Sequence, residues 1–396
     1  MRAVVARVVA ATLALAAALR SEPARAAVTV PFTLENDHVF VDVSLNGTGP
    51  YRFALDSGAP FGLLDSGVAR ELGLRVRPRG TVGGVGDTEA SAGDTTVRVV
   101  RLGALALPDE PFVVTELRTT IGAAEGGAID GVIGRDVFER FVTTFDYARG
   151  SIVFGADVAA LVRSGAALLP MRLAGGVPQI ACRIAAVPAR CNVDTGSRLA
   201  LTIPAQFAAA HPEVRSSKLS AVGIDGFGIG GAALGRLGRL SALAFGGFTV
   251  RDAVCDYSTQ TRGAFANARL GANVGGGIWR RFTLTFDYAQ RRIALRPNDD
   301  FDHPEAPDRS GLFLIGREGT VRVLDVRPGT PSAEAGIEKG DRIVAIAGRA
   351  VAAAELPTIR MLLASRQRTP VAMALERAGE RRDIALTLAD YIPPSL

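Results

Sequence analysis

Three aspartates in this 396-residue chain head an Asp-Ser/Thr-Gly tripeptide: Asp56-Ser57-Gly58, Asp65-Ser66-Gly67 and Asp194-Thr195-Gly196. Asp56 and Asp194 each end an alternating apolar strand, Arg52-Phe53-Ala54-Leu55 in one case and Arg190-Cys191-Asn192-Val193 in the other. A carboxylate on a tight turn at a strand end projects into a cleft, where it can serve as an acid or a base. Gly58 and Gly196 allow close backbone approach there, and the hydroxyls of Ser57 and Thr195 can tie the turn down. Asp65 differs, because it precedes the helical stretch Val68-Ala69-Arg70-Glu71-Leu72 and reads as that helix's N-cap. The tripeptide recurs by chance in Gly-rich chains, so its weight comes from the elements around it.

Those elements are duplicated. The segment starting at Gly131 and the segment starting at Ala272 align without a gap, with nine identities in twenty-four positions, among them Thr144/Thr285, Phe145/Phe286, Asp146/Asp287 and Tyr147/Tyr288. The stretches around Asp56 and Asp194 form a second matched pair at nearly the same spacing. Each copy runs in one order: alternating strand, Asp-Ser/Thr-Gly turn, short helix, Gly-rich hairpin, strands, an apolar-Gly segment and a closing Phe-Asp-Tyr strand. The copies span residues 27–163 and 164–300, a polar Pro- and Asp-rich linker covers 301–309, and a small α+β unit follows over 310–396.

The doubled signature resembles that of the retropepsin and pepsin-like aspartic peptidases, in which Asp-Thr/Ser-Gly is followed later by a hydrophobic-hydrophobic-Gly segment. Here Asp56-Ser57-Gly58 goes with Val132-Ile133-Gly134, and Asp194-Thr195-Gly196 with Asn273-Val274-Gly275, where Asn273 stands at a position the pattern keeps apolar. The resemblance covers roughly residues 30–300 and implies a mainly β fold, two pepsin/retropepsin-like β-barrel lobes meeting at a pseudo-two-fold axis. It implies catalysis by Asp56 and Asp194, side by side over one water, with peptide or protein as substrate and neither metal nor other cofactor. Two carboxylates in contact share a proton rather than both ionising. It further implies flap hairpins that close over substrate, here the Gly-rich stretches holding Gly83, Gly84 and Val85 in copy one and Gly226 and Phe227 in copy two.

The C-terminal unit resembles a bacterial PDZ domain, with Gly311-Leu312-Phe313-Leu314 at the carboxylate-binding loop and Pro328 to Val351 matching the stretch that follows. That resemblance implies capture of an extended peptide as an added strand, its C-terminal carboxylate held by loop N–H groups. The groove's occupant is open at this level: substrate, a partner's C-terminal peptide, or a segment of the same chain.

Composition narrows the rest. With 48% apolar and 21% charged residues, abundant Gly and few aromatics, the chain is globular and favours short strands and tight turns. The net charge of +5 comes almost wholly from scattered Arg, Lys occurring only at Lys218 and Lys339, so the basic stripe of a nucleic-acid binder is missing. His38, His211 and His303 are isolated, and neither an HExxH helix nor a GxSxG elbow is present, which argues against zinc, serine and cysteine mechanisms.

Residues 1–26 read as a secretory signal peptide: Arg2 and Arg7, an apolar core from Val8 to Leu19 too short to span a bilayer, then the small-x-small pair Ala24 and Ala26. The expectation is a periplasmic or secreted protein with no transmembrane anchor after cleavage. Of Cys182, Cys191 and Cys255, a turn at Ala186-Val187 would set the first two opposite each other, while pairing with Cys255 or three free thiols stay open. Two other functions compete with a self-contained peptidase. One is a non-catalytic envelope protein that only binds peptides, and the other is a peptidase active through lobe 1 alone as a homodimer.

Overall fold

The computed structural model describes residues 27–303, 305–366 and 369–393, so the export segment read at 1–26 lies outside the described residues. In lobe 1, strands Thr33–Glu35, His38–Leu45, Thr48–Leu55, Gly131–Ile133, Leu63–Asp65, Leu105–Thr115, Glu89–Leu102 and Arg77–Gly83 lie side by side in that order. Ser44 paired with Arg101 brings the sheet round towards a barrel. Alternation sets its inner face: Tyr51, Phe53 and Leu55 of one strand are buried, as are Val39, Val41 and Val43 of the next. Asn46 and Gly47, both at positive φ, make the two-residue turn that joins them.

Lobe 2 repeats this order with Val177–Ile184, Val187–Val193, Ala272–Val274, Leu201–Ile203, Phe248–Ser258, Gly231–Phe245 and Val222–Gly228, and Arg183 beside Ala244 makes the corresponding closure. Its first turn falls at Ala185-Ala186, with Ala185 at φ 52°, one residue earlier than the sequence reading placed it. Ile184 therefore faces Val187, and Cys182 and Cys191 become diagonal rather than opposite neighbours. Their Cα atoms, 6.0 Å apart, remain within bonding reach, and the two form a disulfide while Cys255 is buried and free.

Between the lobes runs a six-stranded antiparallel layer: Val28–Pro31, Ser151–Phe154, Thr143–Asp146, Phe282–Asp287, Arg292–Pro297 and Ala167–Ala174. The two Phe-Asp-Tyr repeats are its central pair. Thr144 and Thr285, equivalent residues of the two copies, face each other there and hydrogen-bond through their hydroxyls at 2.8 Å. The pseudo-two-fold axis thus passes beside residues that the internal repeat had already matched. Phe138, Phe145, Phe286 and Tyr288 pack around it with ring centroids 5.5–6.1 Å apart.

The C-terminal unit has its own core, including Leu314, Val321, Ile343, Ile359 and Leu375. Its sheet runs Leu312–Arg317, Thr320–Val326, Arg342–Ile346, Val371–Arg377 and Glu380–Leu386, with helix Leu356–Leu363 packed against the first strand. Arg327, 4% exposed, reaches from this unit into lobe 2. It pairs with Asp225 and donates to the Ala221 carbonyl at 2.6 Å and to the Gly235 carbonyl at 3.2 Å. Burial raises the Asp225 carboxyl to about 6, against the pull of Arg327. Removing that guanidinium strands several buried acceptors, a kind of loss that costs several kcal/mol. Arg327→Met is expected to lower stability at pH 7 by about 3 kcal/mol and to split one thermal transition into two, one per unit. An unchanged melting curve would place the strength of the interface elsewhere.

Candidate active site

Asp56 and Asp194 lie together on the floor of a cleft of about 450 Å³ between the lobes. Each leaves a strand flanked by the apolar-Gly segment of its own lobe: Leu55 pairs with Ile133, and Val193 with Val274. The backbone N–H of Asp56 donates to the Ile133 carbonyl and that of Asp194 to the Val274 carbonyl, both at 3.0 Å. Each turn is therefore pinned to the apolar-Gly strand of its own lobe before any side chain is considered.

Ser57 and Thr195, both fully buried, lock the two turns to each other. The Ser57 N–H donates to Thr195 Oγ1 and the Thr195 N–H to Ser57 Oγ, both at 3.0 Å. The Ser57 hydroxyl donates to the Val193 carbonyl at 2.7 Å and the Thr195 hydroxyl to the Leu55 carbonyl at 3.0 Å. Four buried hydrogen bonds, each crossing from one lobe to the other, fix the separation of the carboxylates. The hydroxyls bind the opposite copy's turn, which a reading of one tripeptide at a time does not reveal.

The carboxylates are held by their own turns as well. Gly58 and Ala59 N–H donate to Asp56 Oδ1 at 2.7 and 3.2 Å, and Gly196 N–H to Asp194 Oδ1 at 2.9 Å. Burial pushes the Asp56 carboxyl well above the ordinary carboxylate range, the adjacent Asp194 pushes it further, and the Gly58 and Ala59 N–H groups pull the other way. Asp65 stands apart from the pair. Its carboxylate caps the helix through Gly67 N–H at 2.8 Å and also accepts from Leu117 and Arg118 N–H at 2.9 and 3.0 Å, as its place before a helix implies.

The two Gly-rich hairpins close the cleft from above, and Gly83, Gly84, Val85, Gly226 and Phe227 all line it. Their tips meet: Gly86 N–H donates to the Ile229 carbonyl at 3.0 Å, and the Thr88 hydroxyl to the Gly230 carbonyl at 2.9 Å. Gln260 Nε2 holds the Val85 carbonyl at 2.7 Å. A Cβ at Gly86 would lie 2.0 Å from the Gly230 carbonyl carbon, so glycine is required by contact and not only by turn geometry.

His38, isolated in the sequence, is brought to the site: its Nε2 lies 3.0 Å from the Gly196 carbonyl and its Nδ1 3.4 Å from Glu125. Burial pushes Glu125 up, but His38, Arg360 and Arg198 outweigh it and hold the carboxyl below its usual range. Arg360 belongs to the C-terminal helix and also donates to the Ala124 carbonyl and, at 3.1 Å, to the Leu314 carbonyl. Gly126 follows against Leu356, where an added Cβ would lie 2.5 Å away. Residues 121–126 of lobe 1 thus reach between strand Leu312–Arg317 and helix Leu356–Leu363. Of the occupants the sequence leaves open for this groove, the structure shows a segment of the same chain there.

Gly311 has φ +82° with Thr330 behind it, and the Phe313 ring lies 4.9 Å below the Arg198 guanidinium. Both border, with Leu312 and Leu314, a second cavity of about 250 Å³ against lobe 2. Among the described residues no group of three or more His, Cys, Asp or Glu side chains is placed to hold a metal ion.

Comparison with known proteins agrees with this arrangement at two places. Residues 41–137, which include Asp56, match the family described as aspartyl protease, and residues 322–377 match the family described as PDZ domain. Among solved structures the chain is similar to an aspartic proteinase from Irpex lacteus, with 15% identity, 70% of this chain and 99% of that chain covered, and a TM-score of 0.44. No curated protein matches it. The first lobe of this chain belongs to the aspartyl protease family, and its C-terminal unit is a PDZ domain.

Proposed function

We propose that the chain is an exported aspartic endopeptidase that hydrolyses peptide bonds with one water activated between Asp56 and Asp194. The observation that carries this reading is the reciprocal Ser57/Thr195 lock, which holds two carboxylates in contact under paired flaps at real cost in buried charge. Like charges in contact favour a single shared proton, leaving one carboxylate to take a proton from water and one carboxylic acid to hydrogen-bond the scissile carbonyl. Because both members lie in one chain, the reading needs no second protomer. The Cys182–Cys191 disulfide fits an oxidising compartment, which supports export to the periplasm or beyond.

Digestion of a peptide library, with inhibition by a statine-type peptide that mimics the tetrahedral intermediate, tests the proposal. Saturable binding without cleavage from about pH 3 to 8, a span covering ordinary and raised carboxylates, would leave a peptide-binding protein instead. The pH profile gives a second check. The dyad works only while it keeps one proton, and Asp56 holds its proton above the ordinary range. The kcat/KM profile is expected to be bell-shaped, with its basic limb above the ordinary carboxylate value of about 4. A basic limb at or below that value would contradict the shared proton.

A further inference from the structure

The internal duplication allows the two halves of the dyad to be compared position by position, and they differ in one coherent respect. In lobe 1 the strand that carries Asp56 sets Ala54 between Phe40 and Val132. In lobe 2 the same register sets Asn192 between Gln179 and Asn273. Three facing apolar positions have become three amides, and these connect. Arg172 donates from Nε and a terminal nitrogen to Gln179 Oε1 at 3.0 and 2.9 Å, and Gln179 Nε2 donates to Asn192 Oδ1 at 2.9 Å. Asn192 Nδ2 donates to Asn273 Oδ1 at 3.0 Å, and Asn273 Nδ2 donates to Asp194 Oδ2 at 2.8 Å.

The direction of such a series is usually ambiguous, because amide oxygen and nitrogen have nearly the same shape. Here its outer end is an arginine, which has donors and no acceptor. Gln179 must turn its oxygen to Arg172, so its NH₂ faces Asn192. The same constraint passes through Asn192 and Asn273, and what reaches Asp194 is a donor.

Both Asp194 oxygens then accept from fixed N–H groups, Asn273 on Oδ2 and Gly196 on Oδ1. On Asp56 the backbone donors converge on Oδ1 alone. Among the described residues, no donor outside the dyad reaches its Oδ2. The other ionisable groups around the pair are His38 behind Gly196, Tyr288 on the Asp56 side, Arg198 and Glu125 on the cleft wall, and Asp225 and Asp256 under the second flap. None of these is hydrogen-bonded to either carboxyl.

We propose that the Arg172-Gln179-Asn192-Asn273 series assigns the catalytic roles, making Asp194 the ionised base and Asp56 the proton-bearing acid, with Asn273 as the positioning residue. This assignment rests on the dyad reading above. Water loses a proton to Asp194 as its oxygen bonds to the carbonyl carbon, while Asp56 gives its proton to the carbonyl oxygen, leaving a neutral diol. On collapse Asp194 returns its proton to the departing amine nitrogen as the C–N bond breaks, and a diol hydroxyl restores the proton on Asp56.

The test is the pH profile of kcat/KM on an internally quenched peptide taken from the library. Asn273→Val, which installs the lobe 1 residue type, removes a hydrogen bond that favours the anion. It is expected to move the acid limb up by about one pH unit. Arg172→Met changes an exposed side chain remote from the dyad and frees the series to reverse, and it should move the limb the same way by about 0.3 unit. The double variant should move it no further than Asn273→Val, since both act through one series.

A purely structural role for Asn273 would lower kcat or Tm and leave the acid limb in place. An unmoved limb in both single variants overturns the assignment, and if Asn273→Val fails to fold, Arg172→Met decides alone. Asp194→Asn in the same assay separates the two readings. Its inactivity beside unmoved limbs removes only the role assignment, whereas its full activity removes the dyad itself.

Discussion

Asp56→Asn and Asp194→Asn are each expected to lower kcat/KM by about 10³-fold or more, because each removes a group that must gain or lose a proton in the reaction. Their stabilities should part company. Asn at 56 keeps an oxygen for the Gly58 and Ala59 N–H groups and presents an NH₂ to Asp194, imitating the protonated acid. Asn at 194 has one acceptor for two fixed donors, Gly196 and Asn273, so one donor is left unpaired.

The sign of the pH effect follows from linkage. The folded state holds the Asp56 proton more tightly than the unfolded chain, so wild-type stability falls as pH rises from about 4 through the raised folded value. Asn cannot ionise and does not share that loss. The Tm advantage of Asp56→Asn over wild type should therefore widen from pH 4 to 7, while Asp194→Asn melts below wild type throughout. Equal melting of the two variants would remove the asymmetry, and residual activity near wild type in either would remove the dyad.

Gly196→Ala is expected to abolish the proposed peptidase activity nearly as completely while leaving both carboxylates in place. A Cβ at 196 would lie 2.0 Å from Asp56 Cγ and 2.3 Å from each of its oxygens, and one at 58 would lie 2.5 Å from Asp194 Oδ1. Backbone pinned by the Ser57/Thr195 bonds cannot retreat without breaking them, so the carboxylates must separate. A misplacement of about 1 Å in a reacting group costs roughly 10²-fold, and loss of the shared proton adds to it, giving an expected fall of about 10² to 10³-fold in kcat. Gly67→Ala in the Asp65 tripeptide is the control. Its added Cβ meets side-chain atoms of Asp65, Arg118 and Arg70, all remote from the dyad, and activity should stay within about twofold of wild type, as for other changes away from the site. A wild-type rate in Gly196→Ala would show that the carboxylates need not touch.

Much of this site was legible because duplication turns weak local signals into a joint one. The tripeptide at 56 gains force from its partner at 194, and the structure places Thr144 against Thr285 on the axis that the repeat implies. Asp65 was separable from the other two because a helix pattern follows it directly. Period-two alternation along Thr48–Leu55 and Val187–Val193 also fixed which face of each strand is buried.

Other features depended on pairing between distant segments. A one-residue shift in the Ala185-Ala186 turn changes which residues face each other, and only the folded hairpin set Gln179 beside Asn192. Asn273 looks like an imperfection when its segment is read alone, yet against Asp194 it is a hydrogen-bond donor in register. His38 and Glu125 carry no local motif; His38 meets the Asp194 turn only because the lobes close on each other, and Glu125 stands behind His38 within lobe 1. The same holds for the groove of the PDZ domain, whose occupant is a lobe 1 segment far away along the chain.

The two aspartates, their turns and the doubled frame that carries them are properties of the sequence by itself, since turn chemistry and strand alternation act over a few residues. What surrounds each carboxylate was decided by the tertiary structure. Asn273 reaches Asp194 from a strand remote in sequence, while Asp56 keeps only the N–H groups of its own turn, so pairing between distant segments separates two turns that the sequence makes nearly alike.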